Sequence, residues 1–169
     1  RELTPEEQAK LESLTDPDSV KTKFAWDDTF QRKILSVLLH DDYMLIQSID
    51  KIKPNYFSHE VHVIICTLLF DYFREKKALA PDWILKQKLE EKLKDRDKPI
   101  RLYHVAELES LYDYYVQGVD TREYLLDKIT YFAKVQAVKV AFHECAEKMN
   151  EAPEDEKTWS YVYRSEEHT

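Results

Sequence analysis

Apolar residues recur along this chain at the three- and four-residue spacing of amphipathic α-helices. The first stripe follows Asp27-Asp28, a possible cap, and ends at His40-Asp41-Asp42; it contains Phe30, Ile34, Leu35, Val37 and Leu38. A second short helix is predicted through residues 44–49, and Lys53-Pro54-Asn55 ends it. Ser58 is the predicted cap of a third helix, which is apolar almost all round and is therefore the expected centre of the core.

Three further helices are predicted downstream. Pro81-Asp82 begins one that carries Leu85, Leu89 and Leu93, and the charged turn over residues 94–99 ends it. Residues 100–115 supply the next, before Gly118. A long helix then runs without a breaker from Asp120-Thr121 to Asn150, and Pro153 opens a return helix with Trp159, Tyr161 and Val162.

The N-terminal segment is predicted to be separate from the main domain. Thr4-Pro5-Glu6-Glu7 has the composition of a helix start, and residues 15–19 are typical of a turn or linker. We therefore divide the chain into an extension over 1–26, a globular helical core over 27–118 and a helical hairpin over 119–169. Because the sequence begins at Arg1 and ends without a stop to its pattern at Thr169, we expect a fragment of a longer protein.

Glycine is nearly absent, since Gly118 is the only one in 169 residues. Most β-hairpins and phosphate-binding loops need glycine for positive φ angles or for close backbone approach. The expected fold is all-α, a compact helical bundle followed by a C-terminal helical hairpin.

The long helix carries two apolar faces. One face follows a seven-residue repeat and contains Tyr124, Tyr131, Val135, Val138, Phe142, Cys145 and Met149; a neighbouring face contains Leu126, Ile129, Ala133, Ala137, Val140 and Ala141. One face can pack on the core of its own domain. The other needs the return helix, a second subunit or both, although a helix wholly inside a monomer explains the pattern equally well. We predict a partner interface at Tyr131, Val135, Val138, Phe142, Cys145 and Met149.

Charge and cysteine content narrow the function classes. The net charge is -8 and the basic residues are scattered, so little direct nucleic-acid binding is expected. No apolar run approaches the roughly 20 residues of a membrane span, so we expect a soluble protein. The two cysteines, Cys66 and Cys145, lie within apolar helical patterns and are predicted to be free thiols in the cytoplasm.

No catalytic motif was found. The chain has no G-x-x-x-x-G-K-[ST], H-E-x-x-H, G-x-S-x-G or C-x-x-C pattern, and no catalytic, cofactor or metal residues are predicted. His59 and His62 could share a face, but a metal site needs further ligands. The adjacent residues His143-Glu144-Cys145 diverge around a helix and cannot converge on one ion. The carboxylate pairs at 41–42 and 90–91, with the acidic run at 154–156, are predicted to be solvated helix ends.

Four blocks, taken in order, resemble the N-terminal domain of DnaB-like replicative helicases. Residues 31–41 are similar to that family's leucine-rich opening helix, which ends in an acidic residue. Residues 52–57 with His62-Val63-Ile64-Ile65 are similar to its "F…H…IF" block, and residues 80–85 resemble its "P-V-D-L-V-T-L" helix start. Tyr124 through Phe142 resembles the helix that opens its C-terminal hairpin. The resemblance spans residues 28–165.

The resemblance implies a domain for assembly and docking. In that family the domain is all-helical, pairs through its hairpin, and binds primase and regulators of helicase loading. ATP and Mg belong to a separate motor domain, so the parent would be an ATP-dependent helicase while this fragment has no catalytic activity.

Two other interpretations remain open. The helicase-binding C-terminal domain of DnaG-type primases has a related fold and a similar pattern of leucines followed by F-x-x-x-x-H. A helical metal-carboxylate enzyme would need paired E-x-x-H motifs, whereas Glu60-Val61-His62 has a different spacing.

Overall fold

The computed structural model describes residues 4–6, 28–115 and 122–151. Within these ranges the chain forms helices and no strands, which confirms the all-α prediction. The helices are α1 (Asp28–His40), α2 (Asp42–Ser48), α3 (Glu60–Lys76), α4 (Asp82–Lys92), α5 (Lys98–Tyr114) and α6 (Arg122–Glu151), with a 3-10 turn at Pro54–Tyr56 between α2 and α3. Pro5 and Glu6 are helical. The remainder of the N-terminal helix and the predicted return helix from Pro153, which would complete the hairpin, lie outside the described residues.

Local chemistry accounts for four of the helix ends. Asp41 caps α2, because its Oδ1 accepts a hydrogen bond from the Met44 backbone N–H at 3.1 Å. Pro81 immediately precedes α4, and Pro99 lies in the first turn of α5, where its missing N–H costs no helical hydrogen bond. The last turn of α3 closes through Lys77, whose φ of 55° lies in the left-handed region that glycine favours.

The predicted cap of α3 was wrong by one residue. His59 is the residue before the helix, and its side chain makes no capping hydrogen bond. Ser58 instead pairs with the Gln31 amide of α1: its hydroxyl accepts from Gln31 Nε2, and its backbone N–H donates to Gln31 Oε1, both at 2.8 Å. Ser58 therefore joins α1 to the start of α3.

The core surrounds α3, as its apolar sequence predicted. This helix packs against α1, α4, α5 and the 3-10 turn, and it buries Val61, Ile65, Cys66, Leu69 and Phe70. The first half of α6 packs on α2 and on the 3-10 turn and adds Leu125, Ile129, Phe132 and Ala133 to the same core. The long helix is therefore anchored in the bundle by its first half.

A polar cluster connects three helices of this bundle. Glu107 on α5 accepts a hydrogen bond from Arg32 Nε of α1 at 2.8 Å and another from His62 Nε2 of α3 at 2.9 Å, both at the same carboxylate oxygen. Arg32 also donates to the Ser110 hydroxyl, and its guanidinium lies 5.2 Å from the centre of the Tyr114 ring. The His62 side chain is almost fully buried, so this carboxylate compensates a polar group that would otherwise be stranded.

Candidate partner interface on the long helix

The inner face of α6 is fixed to the bundle by aromatic contacts. Phe132 is fully buried, and its ring centre lies 6.1 Å from that of Phe30 and 5.9 Å from that of Phe57. Ile129 and Leu125 extend this face towards the start of the helix, where both are buried. Because these residues recur at three- and four-residue intervals, one side of the helix is held over about two turns.

The start of α6 has a polar anchor as well. Arg122 donates hydrogen bonds to both carboxylate oxygens of Asp41, at 3.0 Å and 3.3 Å. Its guanidinium lies 5.0 Å from the centre of the exposed Tyr43 ring. Asp41 therefore caps α2 and binds the first residue of α6 at the same time.

The outer face comprises the six residues that the sequence predicted for a partner interface. The structure places them along one side of α6, away from the core-facing Ile129 and Phe132. Phe142 is 70% exposed, Tyr131 60% and Val138 40%. Val135 and Met149 are half-buried, and Cys145 is buried. Phe142 is thus the most exposed residue of the outer face.

Charged side chains border the outer face. Lys134 and Lys139 are exposed beside its middle section, and Asp127 is exposed nearer the start of the helix. Lys128 occupies a position within the seven-residue repeat, with its ammonium 5.5 Å from the centre of the Tyr124 ring. The surface therefore combines an apolar row with charged residues of both signs along its flanks.

A cleft of about 470 Å³ lies between α6 and the 3-10 turn, on the core side of the helix. It is lined by Asn55, Tyr56, Phe57, Ser58, Gln136, Lys139, Val140, His143, Glu144 and Glu147. Gln136 closes its floor by donating from Nε2 to the Tyr56 carbonyl at 2.6 Å, while its buried Oε1 has no hydrogen-bond partner among the described residues. Lys139 and His143 stand beside Glu144 and Glu147, so the cleft favours neither sign of ligand charge.

The histidines considered for a metal site contact carboxylates instead. His59 Nε2 lies 2.8 Å from Asp28 Oδ1, whereas His62 points to Glu107, and the two imidazole rings are perpendicular at 5.5 Å. His143 pairs with Glu147 one helical turn away, at 3.1 Å. Among residues 4–6, 28–115 and 122–151, no three potential ligands converge on one point.

The structure also locates the two cysteines and one of the carboxylate pairs considered in the sequence. Both cysteines are free thiols, as predicted, and burial raises the pKa of the Cys66 thiol. The Glu90-Glu91 pair is exposed on α4, and the acidic run at 154–156 lies outside the described residues. None of the helices that the structure describes is long and apolar enough to cross a membrane.

Sequence reasoning missed two polar features. The Glu107 cluster joins residues that are 45 and 75 positions apart, so no local pattern could have indicated it. Gln136 is a polar residue on the buried face of α6, and its partner is a backbone carbonyl, which carries no sequence signal.

Comparison of the chain with protein-family models, with curated proteins and with solved structures gave no match.

Proposed function

We propose that this chain is a protein–protein assembly module that pairs with a second copy through the outer face of α6, and that it is the N-terminal domain of a DnaB-like replicative helicase. Phe142 supports the first part of the proposal, because its side chain is 70% exposed on the side of α6 away from the core. The second part rests on the order of the four sequence blocks.

The physical reason for pairing is the cost of leaving apolar surface in water. Burying a phenylalanine side chain contributes about 1.5–3 kcal/mol, and a two-fold interface buries each residue twice. Val138, beside Phe142 on the same face, is also exposed. Contiguous exposed apolar residues of this kind are typical of surfaces that bind other proteins.

In a replicative helicase this module would assemble the ring and dock primase and a helicase loader in the cytoplasm. ATP and Mg would be bound only by a motor domain elsewhere in the parent protein. The module itself would contribute little nucleic-acid binding, because the net charge is -8 and phosphate contacts need concentrated positive charge.

Sedimentation equilibrium tests the pairing. We expect the wild-type chain to dimerise, and Phe142→Glu to weaken dimerisation at least about 100-fold, which corresponds to about 3 kcal/mol. Leu102→Glu is the matched control, since Leu102 is 59% exposed on α5, outside the outer face. Unchanged circular dichroism would show that both variants fold.

A wild-type chain that remains monomeric at about 100 μM would disprove self-association, and so would equal effects of the two substitutions. If Phe142→Glu unfolds the monomer, Phe142 belongs to the folded core of one chain rather than to an interface.

The alternative is the helicase-binding C-terminal domain of a DnaG-type primase, which is favoured by the same pattern of leucines followed by Phe57 and His62. The complete reading frame distinguishes the two parents. A helicase has a motor domain after this region, whereas a primase has a polymerase core before it.

A further inference from the structure

Trp83 is an exposed aromatic residue in the first turn of α4. It is 64% exposed, a fraction that only Phe142 exceeds among the large apolar residues of the described ranges. Tryptophan is enriched at the energetic centres of protein interfaces, and its ring attracts cations more strongly than the rings of tyrosine and phenylalanine do. Lysine or arginine groups lie over four other aromatic rings of this chain, whereas none of the described cations lies over Trp83. Trp83 therefore has the exposure and the chemistry to receive a cation from another molecule.

A salt bridge joins α4 to α5 beside Trp83. Lys86 Nζ, one turn after Trp83 on α4, donates a hydrogen bond to Glu109 Oε1 of α5 at 2.9 Å. The short turn between these two packed helices makes them antiparallel, so the start of α4 lies beside the end of α5. The electrostatics agree with this arrangement, because burial, and then the Asp82 carboxylate at the start of α4, raises the pKa of the Tyr112 hydroxyl near the end of α5.

Carboxylates outnumber cations around this salt bridge. The hydrogen bond to Glu109 is the main cause that raises the pKa of Lys86, and the charges of Glu109, Glu90 and Asp82 raise it further. Asp113 is exposed one turn beyond Glu109 on α5. Lys86 and Glu109 neutralise each other. The surface beside Trp83 keeps the negative charge of the three other carboxylates, which are those of Asp82, Glu90 and Asp113.

The combination of an exposed indole ring with a negative rim selects one class of partner. A segment rich in lysine or arginine supplies positive charge for the carboxylates and a cation for the ring, whereas nucleic acids and acidic lipid headgroups would be repelled. Because little apolar surface would be buried, we expect the affinity of such a segment to be modest and sensitive to salt.

We infer that this surface docks a lysine- or arginine-rich segment of a partner protein, with one cation of the segment held over the Trp83 ring. The carboxylates attract the segment, and the ring gives it a fixed point of attachment. The surface lies on α4 and α5 and shares no residue with the outer face of α6, so the inference goes beyond the proposed pairing and does not depend on it.

Fluorescence anisotropy with the full chain tests this surface. The probe is a fluorescein-labelled peptide of alternating arginine and alanine, about 12 residues long, which spans up to about 40 Å when extended. At about 20 mM salt we expect a dissociation constant below about 100 μM, and weaker binding at about 150 mM salt, where the Debye length falls to about 8 Å. A control peptide with glutamine in place of arginine should not bind.

Two variants remove the ring and the rim separately. Trp83→Ala should weaken binding about fivefold, and Glu90→Gln with Asp113→Asn about tenfold, because the first removes the cation–π contact and the second removes two attractive charges. Each variant has a matched control on other helices. Ile46→Ala removes another exposed apolar side chain, and Asp42→Asn with Asp127→Asn removes two other exposed carboxylates. Both controls should stay within about twofold of wild type, since their sites are screened from the peptide.

Three results would overturn the inference: wild-type binding weaker than about 1 mM, equal losses in test and control variants, or equal binding of the glutamine peptide. Unchanged circular dichroism would show that the variants fold. A chain that binds the arginine peptide but remains monomeric removes only the proposed pairing, and a dimer that does not bind it removes only this inference.

Discussion

The inner and outer faces of α6 both carry aromatic and aliphatic side chains, yet they differ in what covers them. Phe132 on the inner face is fully buried between Phe30 and Phe57, whereas Phe142 on the outer face is 70% exposed. The bundle thus covers only one of the two apolar faces of this helix. Apolar content alone therefore does not identify a core face, because the neighbouring helices decide which side is covered.

The largest expected difference in stability is between substitutions at Phe132 and at Phe142. Phe132→Ala should lower the free energy of unfolding of the monomer by about 3–5 kcal/mol, since it removes a buried ring and leaves a cavity. Phe142→Ala should lower it by less than about 0.5 kcal/mol, because its ring is already in contact with water. Urea unfolding at a protein concentration below the dimerisation range measures both, and equal losses would contradict the assignment of the two faces.

The same contrast applies to charged residues inside and outside the bundle. Glu107→Ala should cost about 2–3 kcal/mol of stability, because it leaves Arg32 and the buried His62 without their shared carboxylate. Glu109 lies two residues away on α5 and pairs with Lys86 at 2.9 Å on the surface. Glu109→Ala should therefore cost less than about 1 kcal/mol in the same urea experiment. A milder effect of Glu107→Ala would show that the cluster adds little to stability.

The buried thiol of Cys66 is expected to cause a smaller loss of stability, which grows with pH. Because burial raises the pKa of Cys66 above its ordinary value of 9.0, the unfolded chain loses this proton at a lower pH than the folded chain. Stability should therefore be unaffected well below pH 9 and should fall above it, by up to about 1.4 kcal/mol per pH unit. Burial acts in the same direction on the pKa of Tyr112, starting from its ordinary value of 10.0.

Thermal and urea unfolding between pH 8 and pH 9.8 measure how the Cys66 thiol affects the pH dependence of stability. Cys66→Ala should remove most of the slope in this interval, although it also lowers stability at every pH by creating a small cavity. If stability still falls with pH in Cys66→Ala, a group other than this thiol is responsible.

Helix positions followed from the sequence because each depends on residues close together in the chain. The stripe from Phe30 to Leu38 predicted α1, and Pro81-Asp82 marked the start of α4. The pattern also indicated two apolar faces on α6, and the outer one was named residue by residue.

The composition of the inner face was only partly predictable. Ile129 and Ala133 were expected there, but Leu125 and Phe132 were not, because a helical pattern gives spacing without giving the direction of the neighbouring helices. Gln136 was unpredictable for another reason. Its burial is compensated by the Tyr56 carbonyl, and the 3-10 turn that presents this carbonyl is 80 residues away in the chain.

The hydrogen bond from Gln136 to the Tyr56 carbonyl gives α6 the mechanics of a lever that is clamped near its middle. From Gln136 to Glu151 the helix continues for about 15 residues, or about 22 Å, with Phe142 on its outer side. A bend of about 5° at Gln136 would move the Glu151 end by about 2 Å, which is enough to weaken a close apolar contact. A small change in the 3-10 turn would therefore reach the far half of α6, while the half that is packed on the bundle stays in place.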